Sequence, residues 1–408
     1  TRLAEIAALE ASIKHALRHV RSWMRPDRMP TRIVYWPGRN RLMAQPLGVC
    51  GIIAPWNYPL QLALSPAAGA IAAGNVVMLK PSEATPRFSA LLANLVERTF
   101  GPDEMTVVAG GPVVGAAFSA LPFDHLTFTG STDVGRKVAA AAAQNLTPVL
   151  LELGGKSPVI VDASADVARA AARVAYAKFL NAGQTCIAPD YVLCAASVAD
   201  AFADGYVHAM RRLFGGDPLS ADYSAVISAR HRARLADLLG DARERGAAVR
   251  PCFEDQAAFD AHGKMVPCLV RGVSDGMRLM KEEIFGPILP LVTFTEAGEA
   301  ISRINAGERP LALYWFGRDR RAVDRVLTGT IAGGVTVNDC LLHYVQEAQP
   351  FGGVGASGIG AYHGRFGFET YSKLKPVFYR SAITRTAWLY PPYRKRFERM
   401  LALMRALS

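Results

Sequence analysis

From residue 48 onward, short apolar runs alternate with Ala-rich stretches of helical length, and this rhythm leaves the chain few architectures. Residues 48–54, 75–79, 105–108, 125–128, 149–151 and 158–161 read as strands. Between them, helices are expected up to residue 73 and over 85–100, 132–143 and 166–180. Antiparallel neighbours could be joined by tight turns, but parallel neighbours need a crossover, and helices of this length supply one. The pattern repeats past Asn181, with a strand at 191–195 and a helix at 198–214. The expected fold is therefore α/β, with two doubly wound α/β domains meeting near Cys186. A cleft between such units, at strand carboxyl ends, is the default place for a ligand. An Ala-rich helix is expected over 3–24. Residues 32–36, 37–40 and 41–47 read as strand, turn and returning strand, a small hairpin projecting from the first unit.

Charge and cysteine usage narrow the function classes. The net charge of +11 is uneven, because residues 365–408 hold ten Lys or Arg against two acids. The other 364 residues carry only +3, so the chain has a basic tail rather than a nucleic-acid-binding body, and no nucleic acid is expected as a partner. Six cysteines without a CxxC pair fit a reduced, cytoplasmic setting. No uncharged apolar run reaches membrane-spanning length. His15 and His19 lie one helical turn apart, but no third ligand accompanies them and no metal is expected. Thr1 rather than Met stands first, which reads as a truncated start.

Several motif matches fail on context. Gly353, Gly355 and Gly358 satisfy GxGxxG, but no βαβ unit follows them. Gly155-Lys156-Ser157 ends like a P-loop, yet the required earlier glycine falls at Leu150. A better phosphate candidate runs from Phe128 to Gly135, where a strand end, a glycine turn and a helix start succeed one another. Free N–H groups of that helix and the Ser131 hydroxyl could meet a pyrophosphate; an ordinary turn with Ser131 as N-cap explains the same spacing. Cys186 follows the polar turn Asn181-Ala182-Gly183-Gln184-Thr185, where a thiol can be partly exposed, whereas Cys50, Cys194 and Cys268 sit in apolar runs. Glu152 ends an apolar strand. Either a cation such as Lys156 pairs with it, or desolvation raises its pKa into the range of a general base.

Seven ordered segments then point to one family. They are Pro55 to Pro59, Lys80-Pro81-Ser82-Glu83, Phe128 to Gly135, Leu151 to Pro158, Gly183 to Tyr191, Glu282 to Pro287 and Pro350 to Gly353. In order and spacing they resemble the aldehyde dehydrogenase superfamily. Cys186 to Tyr191 resembles its class 3 branch, and Tyr362 to Arg365 with the tail from Tyr390 is similar to coniferyl aldehyde dehydrogenases. The resemblance implies a cofactor-binding domain over 1–185, interrupted by the arm at 31–47, and a catalytic domain over 186–355. A return segment over 356–408 would hold a strand near 375–379 that completes a β oligomerisation arm, implying a homodimer. The glycine tract becomes a loop crossing beneath the catalytic site.

The same resemblance implies oxidation of an aldehyde, aromatic such as coniferyl aldehyde or medium-chain, to its acid. Cys186 as thiolate would form a thiohemiacetal and then a thioester, with Asn57 holding the oxyanion and Glu152 activating water. Trp56, Lys80, Ser82, Glu83, Gly130, Ser131, Gly135, Glu283 and Phe285 would bind NAD, with NADP as the second choice. Tyr58, Leu62, Thr185, Leu341, Tyr344 and Phe351 would line the aldehyde pocket. The rival readings are a CoA-acylating semialdehyde dehydrogenase, a redox-sensing thiol protein, and a non-catalytic scaffold bound through its tail. In that tail Phe397, Met400, Leu401, Met404 and Leu407 share a helical face near several arginines, a pattern that suits an anionic membrane surface or, equally, packing over its own subunit or a neighbour.

Overall fold

The alternating chain builds two largely parallel sheets and one small antiparallel sheet. The computed structural model describes residues 1–213, 219, 221–383 and 385–406; Phe214 and Leu407, at the expected ends of two helices, lie outside the described residues. In the first large sheet, Val49–Ile53 is flanked by Val76–Lys80 on one side and His125–Thr129 on the other. Met105–Val107 extends the first side, and Val149–Glu152 the second. The chain thus winds outward one way, returns, and winds outward the other way. The reversal falls between Val49–Ile53 and His125–Thr129, so Pro55-Trp56-Asn57 and Gly130-Ser131 leave adjacent strand ends at the switch point.

The second large sheet runs Ala248–Pro251, Cys268–Arg271, Ile288–Phe294, Tyr191–Ala195, Pro158–Val161, Ala312–Phe316, Gly334–Val337. Tyr191–Ala195, Pro158–Val161 and Ala312–Phe316 are buried along their whole length, as expected when helices cover both faces. Helices Val167–Phe179 and Ala199–Arg212 supply much of that cover, contributing Val174, Phe202 and Tyr206 to the core. The sheets change earlier than the rhythm suggests. Pro158–Val161 pairs with Tyr191–Ala195 and Ala312–Phe316, so the passage between sheets falls after Glu152 rather than near 186. The loop through Gly154 and Gly155, the latter at φ +152°, carries the chain across.

The small sheet departs from the expected hairpin. Arg39–Pro46 is its centre, pairing with Ser372–Tyr379 along eight residues and with Asp27–Met29 on the other edge. The segment expected as a strand at 32–36 instead holds one 3-10 turn, Ile33–Tyr35. Pro30 and Pro37 bracket it and cannot donate to a ladder, so the β-branched run lacks room to pair.

The tail forms helix Lys395–Ala406, with Met400 buried and Phe397, Leu401 and Met404 half-buried, while its lysine and arginines face outward. Its apolar face is therefore partly covered by protein. Among the described residues no helix is long and apolar enough to cross a membrane.

Candidate active site

A cavity of about 1160 Å³ opens between the two large sheets, at the switch point of the first. It is lined by Trp56, Asn57, Gly130, Ser131, Glu152, Cys186, Glu283 and Phe285, which lie on five separate segments of the chain. Its volume suits an extended ligand of dinucleotide size.

The thiol is placed by a backbone that only certain residues tolerate. Asn181, Ala182 and Gly183 all have positive φ, at 52°, 53° and 74°. At Gly183 a Cβ would lie 2.4 Å from the Gly286 carbonyl oxygen, so the close approach of two loops requires glycine there. Gln184 fixes the next step, donating to the carbonyls of Asn181 and Ala225 and accepting from the Ile227 N–H. Cys186 emerges half-buried, whereas Cys50, Cys194, Cys252, Cys268 and Cys340 are buried. Burial and the nearby Glu283 and Glu152 push its thiol up to about 12, against hydrogen bonds from the backbone N–H groups of Cys186 and Ile187. Two carboxylates act on it and no cation is among the groups that do, so nothing in the chain itself favours the thiolate.

Asn57 joins the sheets. Its Nδ2 donates to the Gln184 carbonyl at 3.1 Å, and its carbonyl accepts from Asn181 Nδ2 at 2.9 Å. An amide nitrogen has two hydrogens, so one N–H remains for a ligand in the cavity.

Glu152 ends its strand between two neighbours, with its carbonyl accepting from Gly130 and its backbone opposite Gly358. Its side chain is 4% exposed and neither carboxylate oxygen has a partner. Burial raises its pKa well above the ordinary carboxylate value. The alternative that Lys156 pairs with it is excluded by position: the Lys156 ammonium donates to Asp190, to the Leu279 carbonyl at 2.8 Å and to the Glu282 carbonyl at 2.9 Å.

That bracket holds the next segment. Asp190 also accepts from the Ile284 N–H at 2.8 Å, and Arg234 donates to the Glu283 and Ile284 carbonyls. Glu283 is thereby presented to the cavity beside Gly154, where a Cβ would lie 2.0 Å from its carboxylate. Burial, with Asp190 nearby, pushes its pKa up to about 8. Phe285 meets the edge of Trp56 at 5.5 Å, and His231 packs on the same indole at 5.3 Å.

The expected coenzyme residues divide into groups. Trp56, Gly130, Ser131, Glu283 and Phe285 share the cavity wall. Ser131 is the N-cap residue of helix Thr132–Ala143, but its hydroxyl makes no capping bond, which leaves it free for a ligand. Gly135 is a packing glycine, its Cβ position 2.5 Å from Leu153. Lys80, Ser82 and Glu83 sit at the neighbouring strand end, outside that wall; Lys80 is buried and reaches the half-exposed Glu83 at 3.4 Å. The expected aldehyde-pocket residues, except Leu62, also lie off this wall. The Tyr58 hydroxyl bonds Thr185 Oγ1 at 2.6 Å, and Gln61 Nε2 donates to the Tyr344 hydroxyl at 2.8 Å. Tyr344 stands edge-on to Phe351 at 4.7 Å, and Leu341 lies half-buried beside Cys186 and Tyr344 on the same core. Asp190, Arg234, Asn181 and Gln184 support the site through contacts far apart in sequence, which local pattern does not signal.

The rejected fingerprint glycines have a packing role. A Cβ at Gly353 would lie 2.1 Å from the Ser357 carbonyl oxygen, and one at Gly358 2.3 Å from that of Leu151, so the loop is pressed against the strand bearing Glu152. Among the described residues no cluster could hold a metal ion.

Comparison with known proteins places this geometry. The sequence profile described as "Aldehyde dehydrogenase family" matches residues 2–377. A probable coniferyl aldehyde dehydrogenase of Pseudomonas aeruginosa is 47% identical over 401 residues, covering 98% of this chain and 83% of that protein. The coniferyl aldehyde dehydrogenase of a Pseudomonas species is 48% identical over 390 residues, covering 94% and 80%. Among solved structures, the substrate-bound state of Staphylococcus aureus AldH superposes with a TM-score of 0.92 at 38% identity, covering 98% and 86%.

Proposed function

The chain belongs to the aldehyde dehydrogenase family, and we propose that it oxidises an aryl aldehyde of coniferyl type, or a medium-chain aldehyde, to the carboxylic acid through a thioester on Cys186. The enzyme is an aldehyde dehydrogenase of a family that uses NAD or NADP. The Cys186 sulfur attacks the aldehyde carbon as thiolate, its proton having passed to water in the open cavity, and Glu152, with both oxygens free, is kept for the second step. The remaining Asn57 N–H and the Cys186 backbone N–H stabilise the oxyanion of the tetrahedral adduct. When bound, the oxidised coenzyme supplies a hydride acceptor and a cationic ring that favours the thiolate. Collapse of the adduct leaves the thioester. Glu152 then takes a proton from water, hydroxide adds to the acyl carbon, and the sulfur departs as the acid is released.

The cavity fits the coenzyme on three counts. The helix start at Ser131 and Thr132 has unused donors, Glu283 offers a carboxylate to ribose hydroxyls, and Phe285 and Trp56 provide aromatic surface. Glu83 supports NAD over NADP, because a carboxylate hydrogen-bonds ribose hydroxyls and repels a 2′-phosphate. The exposed Phe378 and Tyr379 on the small sheet, with the exposed Trp36 on the segment joining two of its strands, support a homodimer joined through that arm.

One observation carries this reading: a partly exposed thiol shares its cavity with a buried carboxylate that no cation neutralises. The test is turnover of cinnamyl-type, benzyl and aliphatic aldehydes with each coenzyme, combined with intact-mass analysis after rapid quenching. An acyl adduct on Cys186 and release of free acid are expected. A product formed only when CoA is added, or no adduct on Cys186 in an active preparation, overturns the reading.

A further inference from the structure

The turn carrying Asn57 is tied at both ends, and only one tie comes from the thiol loop. At its start, Asn57 and Tyr58 bond Gln184, Asn181 and Thr185. At its end, the Leu60 N–H has no helical partner, because Leu60 is the N-cap residue of helix Gln61–Ala72 and its N–H lies ahead of the first intrahelical bonds. A carboxylate from outside takes this donor: Glu5, on the N-terminal helical segment Arg2–Ala7, accepts from the Leu60 N–H at 2.8 Å. Pro59 contributes no N–H, while the Tyr58 carbonyl accepts from the Leu62 N–H at 3.0 Å, which joins the turn to the helix start that Glu5 holds.

We propose that Glu5 is a positioning residue for the aldehyde reaction: it clamps Leu60 and so holds Asn57 and Tyr58 at the reacting thiol. The inference rests on the assignment of Asn57 as oxyanion donor. The physical case is a charge-assisted hydrogen bond placed at a helix start, where negative charge is also favoured. Small misplacements of a catalytic group are costly in rate even when the fold persists. The N-terminal helix has a second, separate anchor, since the Ser12 hydroxyl donates to Glu347. Loss of that bond loosens the same helix without touching the turn, which separates positioning from docking.

Three variants test the inference: Glu5→Ala, Glu5→Gln and Ser12→Ala, each assayed for aldehyde kinetics, coenzyme affinity by fluorescence and thermal stability. In Glu5→Ala, kcat/KM for aldehyde should fall about tenfold or more, while coenzyme affinity stays within about twofold. Glu5→Gln keeps an acceptor oxygen and should recover most of the loss. Ser12→Ala should lower stability without that kinetic change. The inference is overturned if Glu5→Ala matches wild type, if Ser12→Ala loses as much aldehyde activity, or if Glu5→Gln is no better than Glu5→Ala. An active wild type with an acylated Cys186 but an indifferent Glu5 discards this inference alone. No acylation of Cys186 in the wild type discards the catalytic assignment beneath it.

Discussion

Glu152 and Lys156 stand four residues apart, one on either side of the Gly154-Gly155 loop, and the fold treats their charges in opposite ways. The Lys156 ammonium has all three hydrogens engaged, by Asp190 and two carbonyls, and its task is to hold the segment that presents Glu283. Glu152 is at least as deeply buried and has no partner at all. A fold that needed Glu152 only for stability would pair it, since an unpartnered buried carboxylate is destabilising. Lys156 is architecture; Glu152 is left unpaired, which is what the proposed role of proton acceptor requires. The cysteines repeat the contrast, with five buried as small apolar groups and Cys186 alone half-open at the cavity.

The largest expected effect breaks this pair on the Glu152 side. Glu152→Gln should keep the cavity shape, release one burst of reduced coenzyme and then stall, with steady turnover lower by about 10²- to 10⁴-fold. Steady turnover equal to wild type would show that water is activated elsewhere. The pH dependence follows from the same cause. Both the base and the thiol have raised pKa values, the thiol pushed up to about 12, so each gains its reactive form as pH rises. Wild-type turnover should therefore climb from neutral to alkaline pH. The residual hydrolysis in Glu152→Gln should lose the limb that belongs to the carboxylate, and an unchanged profile would contradict the assignment.

The Lys156 side should show itself in stability first. Lys156→Met leaves Asp190 buried and unpaired, a loss of about 3 kcal/mol measured by denaturant unfolding. Coenzyme affinity should weaken with it, because Ile284 and the Glu283 segment hang on Asp190. If Lys156→Met unfolded like wild type but lost turnover, Lys156 would have to be moved from architecture to chemistry.

How far this division is legible in sequence depends on reach. The two sheets follow from local periodicity, and Asn57, Glu152 and Cys186 were each expected from short segments that do meet at one cavity. The partner of Lys156 was not, because Asp190 lies 34 positions away and the choice between it and Glu152 is made by the chain's passage between sheets. The same passage explains why the second sheet starts at Pro158 and not near Cys186. The surroundings of the thiol are equally hidden: the carboxylates that act on it, Glu283 and Glu152, come from distant segments, which no local pattern reveals. In the arm, Ile33-Val34-Tyr35 has strand composition, yet flanking prolines give the pairing to Asp27–Met29.

Lys80 and Glu83 lie between the two extremes, with a buried ammonium reaching a half-exposed carboxylate at 3.4 Å. Lys80 also donates to the Pro81 carbonyl, so it keeps a partner when Glu83 is altered. Glu83→Gln should therefore leave stability nearly unchanged, since the Glu83 end of the pair is half-exposed and the Lys80 ammonium keeps the Pro81 carbonyl. Its effect should appear in coenzyme choice instead. With the charge gone, a 2′-phosphate is no longer repelled, and the preference for NAD over NADP should narrow by several-fold, measured as the ratio of kcat/KM values. An unchanged ratio would mean that Glu83 only steadies Lys80, and the discrimination would then have to come from the cavity residues around Trp56 and Ser131.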